Sequence, residues 1–61
     1  MTKYIVIVYD YLNGKHYITT VHSKNERDVR YDAVDKVMKQ KNIQRNMEKY
    51  FTVTLIYEVV E

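Results

Sequence analysis

KYIVIVYDYL, residues 3–12, contains four β-branched residues in succession, Ile5 to Val8. Their restricted χ1 rotamers favour extended backbone over helix. Side chains alternate across a strand, so Ile5, Ile7, Tyr9 and Tyr11 project to one face and Tyr4, Val6, Val8 and Leu12 to the other. Both faces are apolar. Such a strand belongs in the middle of a sheet, and the remainder of the chain has to supply neighbours on either side and cover for at least one face.

Asn13-Gly14 follows at once, flanked by β-rich sequence on both sides. This dipeptide is the strongest short hairpin signal, and a two-residue type I′ turn there predicts Leu12 opposite Lys15, Asp10 opposite Tyr17, Val8 opposite Thr19 and Val6 opposite Val21. The second strand, HYITTVH, ends at Ser23-Lys24-Asn25-Glu26, which reads as a capping box for a helix. Val29, Ala33 and Val37 recur at four-residue spacing, with Val34 and Met38 widening the stripe and Tyr31 at its edge. Acids gather early in this helix and lysines late, in the sense that complements the macrodipole. A helix of about 18 residues spans roughly 27 Å, the length of an eight- or nine-residue strand, so the helix is expected to stop near Asn42, in a left-handed cap. Residues 42–49 then form a connector with one turn anchored by Ile43 and Met47.

The last stretch, YFTVTLIYEVV, reads as a third strand with Phe51, Val53, Leu55, Tyr57 and Val59 toward the helix and Thr52, Thr54, Ile56 and Glu58 away from it. A crossover through the helix lays this strand beside the first. The predicted architecture is α+β, ββαβ: one domain over residues 1–61, with a three-stranded antiparallel or mixed sheet of order 2-1-3 and one helix on one face. The hydrophobic run 3–12 takes the central place.

Sixty-one residues lie near the lower limit for burying a self-sufficient core, and the chain has no cysteine to staple it. Self-association is the remaining stabiliser. No stretch approaches the length of an apolar membrane span, so a cytoplasmic protein is expected. The net charge of +2, from ten basic and eight acidic groups, is too balanced to imply a nucleic-acid partner by itself. Lys, Asn, Ile and Tyr, with AT-rich codons, outweigh Gly, Ala, Arg and Pro, a bias that suits a phage or mobile-element gene.

Catalytic chemistry finds little to work with. A single glycine excludes a glycine-rich phosphate loop, and no cysteine or closely spaced histidine pair offers a metal site. His16 and His22 share a strand face but sit about six residues, roughly 20 Å, apart. Asp10 has no second carboxylate or base beside it and reads as a solvated side chain at the hairpin end. Ser23 is explained as a cap, and Arg30, which falls within the apolar arc, as a snorkelling stem paired with Glu26. No catalytic residue, cofactor or metal is expected, and an enzyme is not.

Two features remain. One helix covers one face of a three-stranded sheet, leaving the other apolar. The helix is assigned to the Val6, Val8, Val21 face, because Lys3, His16, Thr20 and His22 surround the opposite one as a polar rim. Ile5, Ile7, Tyr9, Tyr11 and Ile18 then form an expected protein interface, for a second copy or another protein, with a free strand edge as a further route to association. The function this points to is a small homodimeric protein-binding module, a regulator or inhibitor. The second feature is the basic segment Lys36, Lys39, Lys41, Arg45 and Lys49, which beside exposed tyrosines suggests nucleic-acid binding as the alternative.

Overall fold

The computed structural model describes residues 1–60. Strand β1 (Thr2–Asp10), strand β2 (Lys15–Ser23), helix α1 (Glu26–Gln40), a 3-10 helix (Arg45–Tyr50) and strand β3 (Phe51–Val59) follow in that order. The sheet has the order β2-β1-β3 with both pairings antiparallel, and α1 packs on one face. The hydrophobic run does lie at the centre. Its even-numbered residues Tyr4, Val6 and Val8 are buried and join Val21 of β2 and Val29, Ala33 and Val37 of α1 in the core. The helix therefore covers the face assigned to it from the rim residues.

The hairpin departs from the two-residue turn. Asp10 pairs with Lys15, Val8 with Tyr17 and Val6 with Thr19, so Tyr11 to Gly14 form a four-residue loop. A type I′ turn needs positive φ at both central residues. Gly14 has it, at φ 67, but Asn13 does not. Asp10 decides between the two loops. Its Oδ1 accepts from the backbone N–H groups of Leu12 (3.0 Å) and Asn13 (3.3 Å), and its Oδ2 accepts from the Asn13 side-chain amide (2.9 Å). This Asx turn satisfies the loop backbone only if β1 ends at Asp10. The slip relative to the two-residue register is an even number of residues, so every side chain keeps its face.

Asp10 is thus buried and fully hydrogen-bonded, not solvated. The Asn13 amide, more than any other neighbour, holds its carboxyl below the ordinary aspartate range, and burial only partly opposes this. A carboxyl with a lowered folded pKa stabilises the fold above the ordinary aspartate range, near pH 4, and loses that contribution as pH falls through the lower folded value. The urea midpoint is accordingly expected to drop on acidification below about pH 4, and Asp10→Asn to show a smaller drop. Gly14 has open space around the position of a missing Cβ, so Gly14→Ala is opposed by its positive φ alone. The expected cost is about 1 kcal/mol, a fall in Tm of about 4–8 °C by calorimetry.

The helix start also differs from the capping box. Asn25 is the N-cap, with extended φ and ψ and no side-chain cap bond. Ser23 closes the end of β2 instead: its hydroxyl donates to the Asn25 carbonyl (2.9 Å) and accepts from the Asn25 N–H (3.2 Å). The helix ends at Gln40, somewhat short of the predicted length, in a Schellman arrangement. Asn42 takes φ 55, the Ile43 N–H donates to the Met38 carbonyl (2.9 Å) and the Asn42 N–H to the Lys39 carbonyl (3.4 Å). The connector is longer in its helical part than one turn, with Ile43 and Met47 half-buried under it.

The largest departure is in β3. Pairing runs from Asp10↔Phe51 to Val8↔Val53, then resumes at Ile7↔Leu55, which leaves Thr54 as an extra residue. This β-bulge shifts the alternation by one position. Phe51 and Val53 face the helix as expected, but beyond the bulge Ile56 and Glu58 take the helix side and Leu55 and Tyr57 turn to the other face. The Thr54 hydroxyl donates back to the Ile7 carbonyl at 3.4 Å. Tyr4, Val6 and Val8 fill the core above β1, and the bulge brings Ile56 opposite Val6 to complete it.

Candidate functional site

The face of the sheet opposite α1 is a lattice of side chains in four rows, each crossing β2, β1 and β3. Ile18, Ile7 and Leu55 form one row; Thr20, Ile5 and Tyr57 form the next. His16 and Tyr9 extend toward the hairpin end with Thr52, and His22, Lys3 and Val59 close the opposite end. Among the described residues, no element covers it. Ile18 is 73% exposed, Tyr57 59% and Leu55 48%, whereas Ile5, Ile7 and Tyr9 are half-buried by their neighbours in the sheet.

Four of the five residues predicted as an interface, Ile5, Ile7, Tyr9 and Ile18, come together here. Tyr11 does not join them. It lies past the end of β1, where its hydroxyl donates to the Lys49 carbonyl (2.6 Å) and its ring meets Tyr50 edge-on at 5.7 Å. Leu55 and Tyr57 are the members that sequence reasoning missed, because the bulge at Thr54 reverses them. The consecutive apolar run Leu55-Ile56-Tyr57 was the available signal, since strict alternation leaves one of its members on the wrong face.

The surplus is large for so small a chain. Fully burying an Ile, Leu or Tyr side chain stabilises by roughly 1.5–3 kcal/mol, and the unrealised part across this face is comparable to the roughly 3–9 kcal/mol expected for a domain of this length. The centre is aliphatic and aromatic. The rim carries Lys3, His16, Thr20, His22 and Thr52. The His16 ring packs on Tyr9 with centroids 4.5 Å apart and tilted planes.

The basic segment has a different fate. Arg45 pairs with Asp35 and, at 3.2 Å, with Glu48; Lys39 pairs with Asp35 at 3.1 Å. The guanidinium of Arg45, then the Lys39 ammonium, hold the Asp35 carboxyl below its ordinary range, and Asp35 in turn raises Arg45. Lys36 donates to the Thr20 carbonyl of edge strand β2. Lys41 and Lys49 sit over the rings of Tyr17 and Tyr50, at 5.7 and 5.3 Å. Each of the five cations has a contact within the chain. Arg30 is exposed and, among the described residues, has no ion pair with Glu26.

His16 and His22 stand at opposite ends of the open face, and among the described residues no three His, Asp or Glu side chains gather as a metal site. Among the same residues, no helix is long and apolar enough to cross a membrane. No family model matches the chain, and neither a curated protein nor a solved structure matches it.

Proposed function

We propose that this chain is a protein-binding module whose open sheet face pairs with a second copy of itself. The observation that carries this reading is the uncovered apolar lattice centred on Ile7, Ile18 and Leu55. Three strands about 4.8 Å apart and about 30 Å long cover roughly 400 Å², and apposing two such faces removes on the order of 1,000 Å² from water once side-chain relief is counted, the threshold of a specific interface. An isologous pairing uses the same patch twice, so a single apolar centre suffices for both partners. Tyrosine adds contact area with few rotors to freeze.

The biological setting we propose is cytoplasmic regulation or inhibition of another protein, encoded by a phage or mobile element, in line with the short, AT-biased composition. A dilution series of amide spectra tests the pairing. Shifts that depend on concentration are expected at β1, β2 and β3 residues of the open face and absent from α1; shifts concentrated on α1 would contradict the reading. The nucleic-acid alternative is the less favoured reading, since each of its five cations has a contact within the chain. Titration with random single-stranded DNA at low salt is expected to give no saturable binding.

A further inference from the structure

We propose a second binding site on the helix side of the sheet, for an extended acidic peptide segment of a partner protein. Helix α1 packs most closely on β2 and leaves a shallow groove of about 360 Å³ between itself and β3. Arg27, Arg30, Tyr31 and Val34, at one helical face spacing, form its wall, and Val34, Phe51 and Val53 give it an apolar floor. Among the described residues neither arginine forms an ion pair, while Glu48 at the groove end is engaged by Arg45. The groove therefore carries two uncommitted guanidiniums around an apolar floor. Its chemical complement is an apolar side chain flanked by carboxylates, which guanidinium forks bind as charge-assisted pairs.

The sheet edges favour a peptide as the bearer of those groups. The β2 edge is hydrogen-bonded at Thr20 by Lys36, whereas β3, the other edge strand, accepts no side-chain hydrogen bond from α1 among the described residues. The bulge at Thr54 interrupts the far half of β3, and the Phe51 N–H is taken by the Glu48 carbonyl, which leaves Thr52–Val53, beside the groove, as the stretch open to an added strand. An extended segment there turns alternate side chains toward the groove. This site lies on the opposite side of the sheet from the self-pairing face and does not depend on it.

The probe is a fluorescein-labelled peptide, Glu-Thr-Phe-Thr-Glu, in which Glu, Phe and Glu share one face, with Lys-Thr-Phe-Thr-Lys as its counterpart. Anisotropy titration at low salt is expected to show saturable binding of the acidic peptide alone, weakened about tenfold or more by the double variant Arg27→Ala/Arg30→Ala. Both arginines are exposed, so an unchanged far-UV spectrum is expected for that variant. Amide shifts on binding are expected in residues 27–34 and 51–53. No saturable binding, equal binding of the basic peptide, an unchanged affinity in the double variant, shifts centred on Ile7 and Ile18, or displacement by phenylacetate as effective as by unlabelled peptide would each overturn the proposal.

Discussion

Val6→Asp is expected to unfold the protein, whereas Ile7→Asp, one residue along the same strand, leaves the helix and sheet in place. Val6 is completely buried, opposite Thr19 and Ile56 and beneath α1. A carboxylate there forfeits roughly 1.5–3 kcal/mol of valine burial and adds the several kcal/mol of an unpaired buried charge or its forced protonation. Together these match or exceed the roughly 3–9 kcal/mol available to a domain of this size. Ile7 points the other way, half-buried between Ile18 and Leu55, with water above it. Its replacement forgoes partial burial and about 1 kcal/mol of strand preference. Far-UV circular dichroism and urea denaturation separate the two outcomes. A folded Val6→Asp beside an unfolded Ile7→Asp would mean that the helix covers the odd-numbered face.

Ile18→Glu is expected to abolish self-association while costing the fold almost nothing. Ile18 lies in the central row of the open face and is already 73% exposed in the single chain, so the substitution removes little burial there. In a two-fold pairing each substitution appears twice in the interface. Leaving a carboxylate desolvated and unpaired costs about 3–5 kcal/mol, which raises the dimer dissociation constant by at least about a hundredfold. Thermal unfolding at high dilution, where the wild type is monomeric, is expected to superimpose for the two proteins. A variant that associates as tightly as the wild type would place the contact elsewhere, on the β3 edge or the groove side.

The contrast between these substitutions was legible in the bare sequence wherever a single residue type dominated the local energetics. Consecutive β-branched residues made β1 a strand, its two apolar faces made it central, and the spacing of Val29, Ala33 and Val37 identified the face of α1 that packs on Val6 and Val8. Asn13-Gly14 by itself does not decide the hairpin loop, because it suits two loop lengths. The carboxylate of Asp10 selects the longer one through three hydrogen bonds, and an aspartate three residues before Asn13-Gly14 is the trace of that choice. Ser23 likewise satisfies the backbone next to it as the end of a strand, where a cap was expected.

The bulge leaves a fainter trace in the sequence. No glycine or proline marks Thr54, and the polar and apolar residues of β3 alternate through it up to the run Leu55-Ile56-Tyr57. The choice is made across the sheet, by the fit of Ile56 opposite Val6 in the core, a contact between residues distant in sequence. Its consequence falls on the candidate site, since the same slip delivers Leu55 and Tyr57 to the open face. The residues of the open face are therefore legible in β1 and β2, and only in part in β3. Tyr11 falls outside that face because the strand alternation stops at Asp10, the last paired residue, where the chain turns into the loop.

Sedimentation velocity of the wild-type protein over a wide concentration range is the most direct test of the open face as an interface. The account expects a reversible shift with concentration from the 7.4 kDa chain to twice that mass, absent in Ile18→Glu. A folded wild-type protein that sediments as a single chain throughout, with an unfolding midpoint independent of its concentration, would contradict it.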